Sequence, residues 1–318
     1  TVSAGLKRRL VELGAPDEKV TVLRNGIDTA LFHPGPWPDT GDRAAMRAQV
    51  HICLNAKVAG IAALGLATEV AKLSFAERQT VMDWVAQDVA GRVPLGFTIT
   101  GASVAEQIAM VRHAEGVGAD WLILQPPAVG SYGAEEYLNF FARVMRSTPL
   151  PVAIQNAPQY LGRGLSDHDI TRLRADHANF TLIKSESSAE GAAKLIAMAG
   201  SSLKVFNGRG GLEMIECLDA GCEGFLLAPE LIDHAVQVMR LYDAGNRAAA
   251  LALHQDTLPA ITFMMQSIEH LICYGKRIFT ARAGLPTFDR SPALRPTPDN
   301  LAEVARFAAQ FGPFTSQP

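Results

Sequence analysis

Apolar, strand-like runs alternate with amphipathic segments along most of the chain. Runs that are apolar almost without interruption predict strands buried on both faces, as in a parallel sheet. We predict seven such strands, at Ala59–Gly65, Pro94–Thr100, Asp120–Pro126, Pro151–Asn156, Phe180–Glu186, Leu203–Asn207 and Gly224–Pro229.

The segments between these strands carry apolar residues on one face, which predicts helices. They span Ser74–Val89, Ser103–Val117, Ala134–Ser147, Ser166–Asp176 and Leu212–Ala220. With one more strand at about Ile27–Phe32, this rhythm predicts an α/β fold, a (β/α)8 TIM barrel over residues 27–247. A doubly wound open sheet is the alternative, but no G-x-G-x-x-G sequence follows an early strand.

The strand rhythm stops at Ala244–Gly245, and residues 248–318 are predicted to form a C-terminal helical domain. Asn246–Tyr274 and Leu301–Phe311 are its predicted helices, with a proline-rich connector around Ser291–Pro298. The first helix is more apolar than packing on one barrel requires. We predict that these apolar residues pack within the chain and that the same surface can also form an oligomer interface. Residues 1–26 are predicted to be an atypical N-terminal extension.

Composition narrows the classes of partner. The chain has 318 residues and a formal net charge of −3 with scattered Lys and Arg, which argues against a nucleic-acid partner. No apolar run reaches the roughly 18 residues that span a membrane, and no signal peptide opens the chain. The four cysteines form no C-x-x-C pair and no histidine cluster accompanies them. We therefore predict buried reduced thiols, no metal site and a cytoplasmic protein.

Lys184 ends the apolar run that starts at Phe180, and Glu186 follows two residues later. Side chains at positions i and i+2 of a strand share a face, so Leu182, Lys184 and Glu186 point the same way. Apolar surroundings favour the neutral amine over the ammonium ion. Because a neutral amine condenses with a ketone to form a Schiff base, this pattern predicts an enzyme.

Four polar motifs end predicted strands, where the active site of a (β/α)8 barrel lies. They are Gly65-Leu-Ala-Thr-Glu69, Gln155-Asn-Ala-Pro158, Lys184-Ser-Glu186 and Asn207-Gly-Arg-Gly-Gly211. From about Asp42 to Leu285, the chain resembles the dihydrodipicolinate synthase and N-acetylneuraminate lyase family of class I Schiff-base enzymes. Members of that family carry G-T-T-G-E, then Y-N-x-P, then G-I-K-E at these places.

The resemblance implies a lyase that consists of a (β/α)8 barrel with a C-terminal helical bundle, assembled as a homo-oligomer (tetramer or dimer). It also implies that Lys184 forms an imine with a small 2-oxo acid such as pyruvate, without an external cofactor or metal. Glu186 is then the candidate base and acid, and Gln155 holds substrate or water. The structural alternatives are a carboxylate that only pairs with Lys184 and an amide that only satisfies the core.

Several positions depart from the family pattern. Gln155 stands in place of the tyrosine that serves as proton shuttle, and an amide has no useful pKa for that task. Leu66 and Ala67 replace paired threonines, and Tyr160 stands where an arginine is expected. One branch, the 2-keto-3-deoxy-L-arabinonate dehydratases, similarly carries glutamine followed by Lys-x-Glu, and Gln155 with Lys184-Ser-Glu186 resembles that branch.

The turns at the strand ends supply candidate substrate contacts. The backbone N–H groups of Ala67 and Thr68 suit a substrate carboxylate near a helix N-terminus. Asn156, Asn207 and Arg209 are candidate contacts for hydroxyl or carboxylate groups. The glycines around Arg209 equally suit a tight turn with no contact to substrate.

Residues 2–34 do not fit this family and resemble a segment of group 1 glycosyltransferases, near the end of their acceptor domain. No remaining glycosyltransferase domain accompanies them, so we do not assign that activity. The leading hypothesis is a Schiff-base lyase of the 2-keto-3-deoxy sugar acid dehydratase type. A pyruvate-dependent aldolase or a dihydrodipicolinate synthase-like condensation is the first alternative. A catalytically inactive barrel that binds a 2-oxo acid is the alternative from another class.

Overall fold

The computed structural model describes residues 41–127, 129–130 and 132–314. Described residues from Ala45 onward form one compact unit. Its centre is a sheet of seven parallel strands in the order β1 to β7, so each strand pairs with its neighbours in sequence. The strands are β1 (Ile61–Ala63), β2 (Leu95–Ile99), β3 (Trp121–Leu124), β4 (Val152–Asn156), β5 (Phe180–Ser185), β6 (Lys204–Asn207) and β7 (Gly224–Phe225).

All seven strands predicted between residues 59 and 229 are present. β2, β3 and β4 are almost entirely buried, as expected for mainly apolar strands of a parallel sheet. β1 and β7 are shorter than predicted, since among the described strands β1 pairs only with β2 and β7 only with β6. The predicted strand at Ile27–Phe32 and the predicted boundary at residue 26 lie outside the described residues.

Helices precede β1 and follow each strand. They are α1 (Gly41–Asn55), α2 (Phe75–Val89), α3 (Val104–Gly116), α4 (Ala134–Met145), α5 (Pro158–Leu161), α6 (Asp167–Asp176), α7 (Ala189–Ala199), α8 (Met214–Asp219) and α9 (Ile232–Asp243). Serine side chains cap four of them by accepting a backbone N–H of the first turn, at Ser74, Ser103, Ser166 and Ser188. These caps fix where each helix begins after its strand-to-helix loop.

The C-terminal part differs from the prediction of one helix over Asn246–Tyr274. It contains α10 (Arg247–Met264), α11 (Ile268–His270), a π-helical segment (Leu271–Gly275), α12 (Lys276–Ala283) and α13 (Pro298–Phe311). The single-helix prediction is wrong because α10 ends at Met264 and the Ser267 side chain caps a new helix by accepting the His270 N–H. The domain boundary at residue 247 stays a prediction.

The apolar side chains of this region pack within the chain. Met264, Leu271 and Tyr274 lie in one buried cluster with Ile278 and Phe307, so the intramolecular packing that we predicted is present.

The cysteines are mostly buried, as predicted, with one exception. Three cysteines are buried and Cys53 is partly exposed, and all four are free thiols.

Candidate active site

Lys184 and Glu186 lie at the carboxyl end of β5, and their side chains meet. Lys184 Nζ is 3.0 Å from Glu186 Oε1, and the two side chains are 13% and 6% exposed. Gln155, near the end of β4, is the register partner of Lys184 across the parallel ladder. The three residues predicted to be catalytic are therefore adjacent, because neighbouring parallel strands end at the same edge of the sheet.

The Glu186 carboxylate accepts further hydrogen bonds from two other parts of the chain. Gln155 Nε2 donates to Oε1 at 3.2 Å, and the Arg209 backbone N–H donates to Oε2 at 2.6 Å. The Glu186 main chain is fixed as well. Its N–H donates to Asn156 O at 3.1 Å, and its carbonyl accepts from Gln159 Nε2. Since an ionised carboxylate only accepts hydrogen bonds, this set of donors suits the charged form.

Gly208 makes room for this carboxylate. A Cβ built on Gly208 would collide with both carboxylate oxygens of Glu186. The next residue, Arg209, has a φ of 48°, in the left-handed region that non-glycine residues rarely adopt. The turn after β6 is therefore shaped so that the Arg209 N–H faces Glu186 without an intervening side chain.

Two further buried glutamines lie behind Gln155. Gln125 directly follows β3, and its Nε2 donates to Gln155 Oε1 at 2.7 Å. Gln107 of α3 donates from Nε2 to the Gln125 carbonyl oxygen at 2.9 Å. All three glutamines are at most 3% exposed. The sequence analysis assigned no role to Gln125, although a polar amide that ends an apolar strand, as Gln155 does, was an available signal.

Asn156 and Asn207, which we predicted to contact substrate, bond to the protein itself. Asn156 Nδ2 donates to Leu165 O at 2.9 Å, and Asn156 Oδ1 accepts the Leu165 N–H at 2.9 Å. Asn207 is buried and donates from Nδ2 to Ser187 O at 3.0 Å. These bonds fix the loops after β4 and β5. A substrate contact through either side chain stays a prediction.

Arg209 and Tyr160 lie on the other side of Glu186. The Arg209 guanidinium pairs with Glu213 and donates to Ser187 O at 3.3 Å. Tyr160, in α5, lies close to Arg209 and Glu186. Burial, followed by the charge of Glu186, raises the pKa of Tyr160, so the phenol stays protonated at neutral pH. The sequence marked Tyr160 only as a departure from the family pattern, and α5 brings it to the site.

The turn after β1 contains Ala67 and Thr68, which we predicted to contact a substrate carboxylate. The Thr68 N–H donates to Gly65 O at 3.1 Å, and Thr68 Oγ1 donates to the same oxygen at 2.6 Å. Ala67 packs against the apolar cluster of the C-terminal helices. Both donors of Thr68 therefore bond within their own turn. A substrate contact through Ala67 or Thr68 stays a prediction.

The described part of the chain contains no group of three His, Cys, Asp or Glu side chains placed to hold a metal ion. It also contains no helix long and apolar enough to cross a membrane.

The edge formed by β3 to β6 carries an amine, a carboxylate, buried amides and a phenol. An amine beside a carboxylate can form an imine and move a proton at the adjacent carbon.

The fold and the site together define a lysine-dependent Schiff-base barrel. The chain belongs to the dihydrodipicolinate synthetase family, whose sequence profile matches residues 24–310. The match is wider than the range of Asp42 to Leu285 that suggested the family, and it includes residues 24–34 of the anomalous segment. The predicted family and lyase class are thereby confirmed.

Two relatives of the chain carry different activities in their names, an aldolase and a synthase. The chain is 26% identical over 258 residues to the "Probable 2-dehydro-3-deoxy-D-pentonate aldolase YjhH" of Escherichia coli K12, covering 78% of this chain and 83% of that protein. It is 27% identical over 239 residues to the 4-hydroxy-tetrahydrodipicolinate synthase of Methanococcoides burtonii, covering 74% of this chain and 81% of that protein.

Solved structures share the fold. YagE of Escherichia coli K12, a prophage protein of the dihydrodipicolinic acid synthase family solved in complex with pyruvate, superposes with a TM-score of 0.79 at 22% identity, covering 85% of this chain and 92% of that chain. Dihydrodipicolinate synthase from Aquifex aeolicus has a TM-score of 0.79 at 17% identity, with the same coverage of 85% and 92%. The predicted TIM barrel with a C-terminal helical part is therefore confirmed.

Proposed function

We propose that this protein is a lyase that forms an imine between Lys184 and the C2 ketone of a 2-keto-3-deoxy sugar acid. The observation that carries the proposal is the 3.0 Å separation of Lys184 Nζ from Glu186 Oε1, with both side chains largely buried. A carboxylate beside the amine can accept the proton that an imine makes acidic. No external cofactor is required, since the protonated imine is itself the electron sink.

The residues support a dehydration in four steps. Condensation of the Lys184 amine with the C2 ketone releases water and gives the imine. The protonated imine acidifies C3, and Glu186 takes the C3 proton to leave an enamine. The enamine expels the C4 hydroxyl as water, with a proton from Glu186 or from the protonated Tyr160 phenol. After tautomerisation, hydrolysis of the imine consumes one water and frees Lys184, so the net change is the loss of one water.

Aldol cleavage is the second candidate, and a specific observation favours it. The Escherichia coli relative is named as an aldolase of a 2-dehydro-3-deoxy-pentonate, which is the same class of substrate. Cleavage breaks the C3–C4 bond after a base removes the C4 hydroxyl proton, and it releases pyruvate. We favour dehydration because Gln155 together with Lys184-Ser-Glu186 resembles the dehydratase branch. The two reactions would share Lys184 and Glu186.

Borohydride trapping tests the imine. Reduction in the presence of pyruvate or 2-keto-3-deoxy-L-arabinonate should leave an adduct on Lys184, located by peptide mass spectrometry. Lys184→Ala should lose the adduct. Lys204→Ala should keep it, since Lys204 is a strand lysine whose side chain is 60% exposed. The absence of an adduct with every 2-oxo acid would contradict the proposal and would favour a barrel that binds such acids without turnover.

Product analysis separates the two reactions. With 2-keto-3-deoxy-L-arabinonate as substrate, dehydration gives 2-oxoglutarate semialdehyde, whereas cleavage gives pyruvate and glycolaldehyde.

We also propose that the protein works in the cytoplasm as a homo-oligomer, a dimer or a tetramer, as is typical of the family. Light scattering coupled to size-exclusion chromatography measures that state directly, and a monomer at micromolar concentration would contradict it.

A further inference from the structure

The orientation of the Gln155 amide is set by what lies on each side of it. An ionised Glu186 carboxylate can only accept, so Gln155 must present its NH2 group to Glu186 Oε1, 3.2 Å away. Its carbonyl oxygen then faces the opposite way, where the Gln125 NH2 group donates to it at 2.7 Å. If Gln155 were rotated by half a turn, oxygen would face carboxylate on one side and NH2 would face NH2 on the other.

The backbone N–H and carbonyl groups of Gln125 are both hydrogen-bonded. Its N–H donates to Ile99 O at 3.0 Å, and its carbonyl oxygen accepts from Gln107 Nε2 at 2.9 Å. The Gln125 and Gln155 residues are 3% and 1% exposed, so bulk water cannot readily replace the donor if Gln125 is removed. A buried acceptor that loses its donor bears the full cost of desolvation, and hydrogen bonds in such a network depend on one another.

We propose that Gln125 is a positioning residue of the proposed lyase. It locks the Gln155 amide in the orientation that keeps Glu186 ready to accept the C3 proton. The inference rests on the proposed function, since Glu186 acts as a base only when Lys184 has formed the imine. An amide cannot carry a proton, so in this site the two glutamines orient the carboxylate in place of shuttling protons.

Deuterium exchange into pyruvate tests this role, with pyruvate in D2O as the probe. Exchange of the methyl protons requires the imine and then proton removal at C3, and NMR follows it directly. Gln125→Leu should slow exchange by about 10- to 100-fold, the loss that follows removal of the hydrogen-bond partners of metal ligands. Borohydride trapping on Lys184 should persist.

Two controls separate positioning from a general loss of structure. Gln266→Leu changes an exposed glutamine in the C-terminal part and should leave exchange at the wild-type rate. Gln125→Met is a second variant of similar length in case leucine perturbs folding, and thermal unfolding checks both. If Gln125 acts through Gln155, then adding Gln125→Leu to Gln155→Leu should slow exchange no further.

The outcomes distinguish this inference from the proposed function. A wild-type exchange rate in folded Gln125→Leu, or additive losses in the double variant, would overturn the positioning role while trapping on Lys184 still supports the lyase. Failure of the wild-type protein to trap pyruvate or any other 2-oxo acid would overturn the lyase proposal first, and the positioning role with it.

Discussion

At the scale of single residues, Glu186 is the group whose chemistry can be removed with the least change in shape. Glu186→Gln keeps the size of the side chain but cannot take up a proton at C3. We expect turnover to fall by about 10²- to 10⁴-fold, the usual contribution of a positioned base, while borohydride trapping on Lys184 persists. Glu190→Gln, at an exposed i,i+4 pair with Lys194, is the matched control and should behave as wild type. A variant with full kcat and only a raised KM would reduce Glu186 to a binding role.

Gly208 allows an independent test of the same carboxylate without altering it. A methyl group at Gly208 would collide with the Glu186 oxygens, so Gly208→Ala must displace either the carboxylate or the turn that carries the Arg209 N–H. We expect kcat to fall about 10-fold or more, since small displacements of a positioned group are costly. Gly116→Ala, at an exposed helical site with open space around it, should keep its activity. Equal kcat in the two variants would show that Glu186 tolerates displacement.

The central part of this site could be predicted because it depends on short-range rules. Alternation along β5 places Lys184 and Glu186 on one face, and adjacent parallel strands bring Gln155 alongside. The role of Gln125 was not predicted, because it becomes visible only once the donor to the Gln155 side-chain oxygen is identified. Gln159 was missed because it reaches Glu186 from α5, across a loop whose path the sequence does not specify.

At the scale of elements, the turn Pro229–Leu231 between β7 and α9 holds a buried acid. Glu230 is 6% exposed. Burial raises the pKa of Glu230 to about 7 from an ordinary value of 4.5, against the opposing charge of Arg282. The folded protein therefore binds a proton that the unfolded chain releases. The resulting stability is fully present below about pH 4.5 and is lost as the pH rises through about 7.

Glu230→Gln removes this titration. Relative to the variant, the wild-type protein should lose up to about 3 kcal/mol of unfolding free energy as the pH rises from well below 4.5 to above 7. Urea unfolding at mildly acidic and mildly alkaline pH measures the difference. Glu223→Gln replaces a half-exposed acid near the start of β7 and should give a curve parallel to wild type. A parallel curve for Glu230→Gln as well would show that Glu230 titrates normally.

The elements themselves were mostly predictable, and the exception has a clear reason. Strands β2 to β6 follow mainly apolar runs, and serine caps mark several helix starts. The break between α10 and α11 was not predicted because Met264, Met265 and Ile268 continue the apolar pattern across it. Periodicity detects which face is buried. It does not detect a change of direction made by one serine cap.

At the scale of the whole molecule, a (β/α)8 barrel requires one strand beyond the seven that the structure describes. Among the described strands, β1 and β7 are the ends of the sheet. An unpaired strand edge favours aggregation, and barrels avoid it by closing. The sequence predicts one more strand at Ile27–Phe32, and the family match begins at residue 24. We therefore expect residues 27–40 to be necessary for stability and residues 1–26 to be dispensable, although residues 2–34 resemble another family.

Two deletions test this division. Removal of residues 1–26 should leave the Tm and borohydride trapping on Lys184 unchanged, because it leaves the predicted strand intact. Removal of residues 1–40 also deletes that strand, so the Tm should fall sharply and size-exclusion chromatography should show aggregates. The same behaviour in both truncated proteins would contradict the predicted strand. Loss of stability on the shorter deletion would instead show that the glycosyltransferase-like segment belongs to the folded domain, so that the boundary at residue 26 is placed too late in the chain.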